Sequence, residues 1–331
     1  IEIDPGVYSG FGFRDLDLLG KTVVIIAAKG PGTVIIDLGG SEGEPHRFIN
    51  LTNNGANNIG LTYWLTFRNG NADEGGFARL DGSAFLAHEC VFEDFHSEQG
   101  GVFWSRNAQV RLSNCIFRNS SATTGGVIHY DGGTSFVDAC TFDGNTATDG
   151  GAISVANGTL NVTNCLFTDN SATSSGGAAY STGGDLSLLH CTLVRNAATI
   201  GGGVAHVAGN TLIANAIIRD NTATSSPELH GGSTVQHSNI LGGHAGTGNI
   251  DADPMFVDAD ADNFAIAVGS PCIDVGQGGL LPPHVGNDYL GNPRNVDGDL
   301  NGAAAPDMGA LEFQVDCPAD WNNVGGVTSQ D

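Results

Sequence analysis

Residues 100–149 read GGVFWSRNAQVRLSNCIFRNSSATT followed by GGVIHYDGGTSFVDACTFDGNTATD, two stretches of 25 residues whose landmarks coincide. Working outward, Gly-Gly pairs recur at Gly75, Gly100, Gly125, Gly150, Gly176 and Gly202, with spacings of 25, 25, 25, 26 and 26. A second ladder runs in step through Cys90, Cys115, Cys140, Cys165 and Cys191 and extends to Ala216. A large apolar residue follows two positions later, at Phe92, Phe117, Phe142, Phe167, Leu193 and Ile218. A third ladder is polar, with Asn145, Asn170, Asn196 and Asn221 each five residues after the Cys position. Three ladders in register imply stacked copies of one unit.

That unit is too short for a helix pair. Its segments alternate with period two between Gly, Asn, Asp and Ser punctuation, so each repeat predicts one coil of a parallel β-helix. Three residues before each Cys sits another apolar residue, in Ala87, Leu112, Val137, Val162, Leu188 and Ile213. Residues three apart cannot share a face of a straight strand, so the chain must bend between them. Asn114, Asn164 and Asn215 occupy that bend, where a side-chain amide can satisfy turn backbone groups. Coils stack about 4.8 Å apart, and the reading is an all-β solenoid of about ten coils over residues 1–250, followed by an irregular C-terminal extension.

Charge and composition narrow the function. The 331 residues hold 36 acidic and 12 basic side chains, a net charge of −24, and only Lys21 and Lys29 are lysines. Phosphate neutralisation needs clustered Lys and Arg, so nucleic acid is excluded as a partner. Twelve of the 50 glycines are the paired coil markers; the excess is architecture and not disorder. No apolar window is long enough for a transmembrane segment, and no signal segment opens the chain. The opening IEIDPGVYSG already reads as strand and turn, which suggests a missing leader or cap.

The GGVI, GGAI and GGAA pairs with FRNS, FDGN and FTDN resemble the GGA[ILV] and FxxN repeats of the polymorphic outer-membrane protein family. More broadly they resemble secreted bacterial right-handed parallel β-helix proteins, as do GSEGEPHRF at Gly40–Phe48 and the opening DPGVYSG. Between Asp251 and Phe313, DADPMFVDADADNF, GSPCIDVG, LGNPR and PDMGALEF resemble the C-terminal part of choice-of-anchor surface proteins. The last stretch, CPADWNNVGGVTSQD, is similar to half of a dockerin-type calcium repeat, with Asp320, Asn322, Gly325 and Asp331 at loop positions one, three, six and twelve and Val324 in place of a ligand. The resemblance divides the chain into a right-handed single-stranded β-helix over 1–250, a choice-of-anchor-type region over 251–315 and a partial dockerin-like segment over 316–331. It implies an extracellular or bacterial cell-surface protein of structural or adhesin type. A fold of this kind hosts lyases, hydrolases, adhesins and inert stalks alike, so activity has to be argued from residues.

The row three residues after the second glycine should face outward: Arg79, Trp104, His129, Ser154, Tyr180 and His206. Two residues further on lie Asp81, Arg106, Asp131, Ala156, Thr182 and Ala208. Stacked, these rows place Arg79, Trp104, His129, Tyr180 and His206 on one surface, with rings available to a polysaccharide or cell-envelope glycan. The candidate catalytic group is His129, Asp131 and Arg106, in a polysaccharide lyase more than a glycoside hydrolase, since a hydrolase needs paired carboxylates about 5–9 Å apart. The NTD, GHG and RIK motifs of polygalacturonase-like enzymes are missing from the chain, and a strongly acidic protein repels polyuronates unless calcium bridges them. The coil ends offer another possibility, self-association into a stacked fibre.

Residues 251–331 carry 14 acids and one Arg. Asp297, Asp299 and Asn301 form a DxDxN loop suited to calcium, with Asp320, Asn322 and Asp331 as a second candidate set; no other cofactor is expected. Asp274 and Asp307 are expected to hold turns. Equivalent Cβ atoms of stacked coils lie beyond the roughly 3.5–4.5 Å of a disulfide, so the Cys ladder reads as buried thiols. Cys272 and Cys317 stand outside it, and export would allow them to clip the tail to the rod or remain as two free thiols.

Overall fold

The computed structural model describes residues 1–52, 59–280 and 285–315. Within them the chain winds as a parallel β-solenoid. One coil starts at Gly100-Gly101, runs as strands Phe103–Arg106 and Gln109–Ser113, bends at Asn114, and continues as Ile116–Arg118 before closing on Gly125. Its strands pair in parallel with the coils before and after, one repeat apart: Phe103 with Ala78 and Ile128, Phe117 with Phe92 and Phe142. Three faces result. The Gly-Gly face belongs to a sheet of 16 strands; the flank, from Gly6–Ser9 to Asn239–Ile240, is a sheet of 10 strands; the third face is shorter and split in two. Ten flank strands make about nine steps at the usual parallel spacing, close to the expected coil number.

The Gly-Gly pairs are required twice over. Gly100 has φ +62°, and a Cβ there would lie 2.0 Å from the carbonyl oxygen of Phe103. A Cβ on Gly101 would meet the carbonyl oxygen of Gly126 in the next coil at 2.0 Å. The first glycine thus makes the left-handed turn that other residues resist, and the second lets coils approach. The sixth pair is Gly201-Gly202, one residue earlier than the spacing suggested: Gly201 has φ +63°, and Gly177 meets the Gly202 carbonyl. A run of three glycines, Gly201 to Gly203, hides this register in the sequence.

The core is built from stacked equivalents. Phe67, Phe92, Phe117, Phe142 and Phe167 lie ring on ring, with centroids 5.5, 5.0, 5.0 and 4.6 Å apart and interplanar angles of 14°, 9°, 19° and 2°. Each is fully buried, worth roughly 1.5–3 kcal/mol of transfer free energy. The Cys ladder is buried and free; the thiols of Cys115, Cys140 and Cys165 donate to the carbonyls of Ser113, Asp138 and Thr163 at 3.3, 3.3 and 3.1 Å. Burial pushes the thiols of Cys90, Cys115 and Cys165 well up, so they stay protonated fillers. The bends carry left-handed backbone: Asn114, Asn164 and Asn215 all have φ +53°, where Asn is tolerated best after glycine.

Described residues of the C-terminal segment pack on the flank: Leu166 and Val194 with Phe264, Ala310 and Leu311, and Ile217 with Ile266, Cys272, Ile273 and Met308. The segment's anchor is Arg294, fully buried in an ion pair with Glu312 at 3.1 Å. The same guanidinium donates to Asn164 Oδ1 and to the carbonyls of Gly309 and Ala310 at 2.7, 3.0 and 2.8 Å. Asn215 pairs with both backbone groups of Gln277, at 2.8 and 3.1 Å. Asn164 and Asn215 therefore hold the cover as well as the turns. No helix among the described residues is long and apolar enough to cross a membrane.

Candidate functional site

Parallel pairing brings Arg79, Trp104 and His129 into one outward row, continued by Ser154 and Tyr180. Arg79, His129 and Tyr180 are half-buried. Trp104 does not offer its ring: it is 4% exposed, with the guanidinium groups of Arg79 and Arg106 over it at 5.0 and 5.2 Å from its ring centroid. One of these cations comes from the preceding coil and one from its own strand, a consequence of stacking that the linear spacing does not reveal. His206 leaves the row altogether. Tyr180 stacks on Ala205, while His206 stacks on Ser181, in the row of Leu80, Ser105, Tyr130 and Val155 that fills the interior. The displacement is the one-residue register at Gly201. By the same register the row resumes at His230, opposite Ala205, a member the sequence reading missed.

The candidate catalytic residues are neighbours but are engaged elsewhere. Arg106 stacks directly on Asp131, yet its Nε and Nη2 donate to the two carboxylate oxygens of Asp81, one coil back. That bond holds the Asp81 carboxyl below its ordinary range. Asp131 accepts Asn157 Nδ2 at 2.7 Å; a β-bulge after Tyr130 places Asn157, and not Ala156, opposite it. His129 lies 3.4 Å from Thr124 Oγ1, and burial lowers its pKa against the weaker opposing pull of Asp131 and Glu74. Arg79 Nε bonds Glu74 at 2.5 Å. The strip is thus a network of two ion pairs and several hydrogen bonds, with Glu74, Gln99 and Thr124 along one side and Asp81, Arg106 and Asp131 along the other.

The acidic loop also assembles, with one unforeseen member. Carboxylate oxygens of Asp274, Asp297 and Asp299 come within 4.8 Å of one another, a donor set of the kind hard cations take. All six of those oxygens already accept donors within the segment: Ala305 N and Asp299 N on Asp274, Asn301 N and Gly302 N on Asp297, and Asn301 N and Nδ2 on Asp299. Asp274 and Asp307 hold turns as expected; Asp307 takes Asp274 N and Phe313 N at 2.7 and 2.5 Å. Asp320, Asn322, Asp331 and Cys317 lie outside the described residues, and Cys272 is a buried free thiol.

Two of the cavities among the described residues lie away from the strip. One, of about 710 Å³, opens between the flank and residues 285–291, lined by Asn114, Ile116, Ala139 and Tyr289 among others. The second, of about 590 Å³, lies at the C-terminal end of the solenoid beside Glu228.

Residues 49–223 match the right-handed beta helix region family, just over half of the chain. The protein belongs to the right-handed β-helix family, whose members include adhesins and polysaccharide-active enzymes. No curated protein matches the chain.

Proposed function

We propose that this is an extracellular or cell-surface β-helix protein of structural or adhesin type that binds a polysaccharide along its Gly-Gly face without cleaving it. One observation carries the reading: polar and aromatic side chains recur at single-coil steps along the outward rows from Glu74 to Tyr180, each charged group immobilised by a neighbour. An extended chain of β-linked hexoses advances by nearly the same step as a stack of parallel strands, so successive sugar rings can meet successive coils. Planar Arg, Asn and carboxylate groups suit pairs of vicinal hydroxyls, and their prior ordering lowers the entropic cost of binding. The non-cleaving part rests on the engagement of Arg106 with Asp81 and of Asp131 with Asn157, which ties up two of the three candidate catalytic groups of the strip.

A panel of neutral and acidic polysaccharides tests the reading. Retention of a glycan by the wild type, weakened about tenfold by combined Arg79→Ala and Tyr180→Ala at unchanged melting temperature, is the expected outcome. Release of reducing or unsaturated ends that Asp131→Ala abolishes would replace it with a lyase or hydrolase.

A further inference from the structure

The buried asparagine ladder has a direction and an unusual end. Nδ2 of Asn145 donates to Asn170 Oδ1 at 3.0 Å, Asn170 to Asn196 at 2.9 Å and Asn196 to Asn221 at 2.9 Å. Each Oδ1 also accepts the backbone N–H of the preceding rung. Asn221 has no amide above it; its Nδ2 meets Oε2 of Glu228 at 2.6 Å. Four aligned amide dipoles thus turn their positive ends toward one carboxyl. Glu228 is 7% exposed, and its Oε1 is buried with no hydrogen-bond partner among the described residues. Leaving such an oxygen unpaired costs about 1–3 kcal/mol, more if charged.

Ending the ladder does not need a carboxyl. An Asn or Gln would accept from Asn221 equally well, as the three rungs before it do. The nearby cation, Arg219, lowers the pKa of the carboxyl only weakly and is engaged elsewhere. Arg219 reaches Asp251 at 2.9 Å and Asn239 at 2.9 Å, Asp251 also takes Gly242 N, and His244 Nδ1 is turned onto the Ala245 carbonyl at 2.8 Å. Asp220 adds negative charge. The cavity beside Glu228 has an apolar wall of Leu229, Ile240 and Leu241.

We infer that this cavity is a binding site for an alkylammonium group, its nitrogen on Glu228 and its methylenes against Leu229, Ile240 and Leu241. The ammonium supplies the missing donor and the missing charge at once. Such a group is carried by free primary amines and by lysine side chains, and the chemistry is shared. Burial lifts the Glu228 carboxyl to about 7, against the lowering effect of its Asn221 bonds and Arg219; ligand binding is therefore coupled to loss of a proton.

Titration of the full chain with n-butylammonium and with Nα-acetyl-lysine methylamide, followed by calorimetry, tests this, with n-butanol as the neutral control. Both cations should bind saturably and n-butanol about tenfold more weakly or worse. Affinity should rise severalfold from about pH 6 to about pH 8, as the carboxyl ionises while the ammonium stays charged. Glu228→Gln should abolish the preference for the cations with no loss of melting temperature; Leu241→Trp, which fills the cavity away from the carboxyl, should block both. Equal affinities assign the site to free amines, and stronger binding of the lysine derivative assigns it to a partner polypeptide. Absence of saturable binding in the wild type, or binding unchanged in both variants, would overturn the proposal.

Discussion

The two halves of the flank sheet have the same strands and the same register but opposite surroundings. In the first half the outward row runs Val7, Ile35, Thr66, Val91 and Ile116, and its ends are open, with Val7 64% and Ile116 39% exposed. In the second it runs Thr141, Leu166, Thr192 and Ile217, and Leu166, Thr192 and Ile217 fall to 8%, 1% and 1% under the C-terminal segment. The neighbouring row differs in kind. Asp37, Arg68, Glu93 and Arg118 alternate in sign, with Arg68 bonded to Asp37 at 2.8 Å and Arg118 to Glu93 at 2.6 Å, whereas the covered half runs Asp143, Thr168, Val194 and Arg219, its two charged ends flanking an uncharged middle and Arg219 paired with Asp251 of the cover at 2.9 Å. A bare parallel sheet in water carries charge along its outer row; under the cover uncharged residues replace it, and polar groups there find partners in the cover or the next coil, as Thr192 Oγ1 does by accepting Ala310 N at 3.0 Å and Thr168 Oγ1 by donating to Asp143 at 3.1 Å. The coil pattern sets where side chains point, and the cover sets what that direction costs.

Removing the anchor should break this contrast most severely. Arg294→Ala leaves Glu312 buried and unpaired and should cost about 3–5 kcal/mol in urea unfolding; it should also raise hydrogen exchange in Leu166–Thr168 and Thr192–Val194 while leaving Val91–Glu93 protected. A smaller loss is expected from Leu166→Ala, about 2–4 kcal/mol, against about 0.5–1 kcal/mol for Ile116→Ala at the equivalent bare position. Equal losses would mean that the cover contributes no packing.

Acidity should act on the covered half. Burial and the neighbouring Glu312 raise Asp307 to about 7, and burial raises Glu312 as well. Both then bind protons more tightly folded than unfolded. Their contribution is complete below the unfolded carboxyl range, near pH 4, and fades as pH rises through about 7. Stability should fall by about 1–3 kcal/mol between about pH 5 and about pH 8. Relief of general charge repulsion also favours low pH, so the discriminating measurement is Asp307→Asn, which should flatten the slope. The smallest effect is a gain: Ala139 holds φ +49° at a bend beside the larger cavity, and Ala139→Asn should add about 0.5–1 kcal/mol, read as a higher melting temperature.

Much of the rod was legible because parallel stacking puts like upon like. Residues 25 apart become neighbours, so Cys, Phe and Asn ladders in the sequence are ladders in space, and Gly-Gly marks the turn that a Cβ forbids. Legibility failed where one coil departs from its neighbours. The glycine triplet concealed the shift that moves His206 into the row of Ser181, and the bulge that sets Asn157 against Asp131 leaves no mark on the spacing, since the register is 25 residues on either side of it. Trp104 reads as an exposed ring until the two arginines that cover it are placed.

Sequence by itself determined the solenoid, its coil length, its core rows and its acidic, lysine-poor character, since these follow from local periodicity and composition. Tertiary structure decided which outer residues meet water, that Arg294 joins Asn164 across 130 positions, that Asp274 joins Asp297 and Asp299, and that the asparagine ladder ends on Glu228. Those contacts link segments with no common period, so no spacing along the chain encodes them. They exist only because burying them together recovers the hydrogen bonds and apolar area that each would forfeit alone.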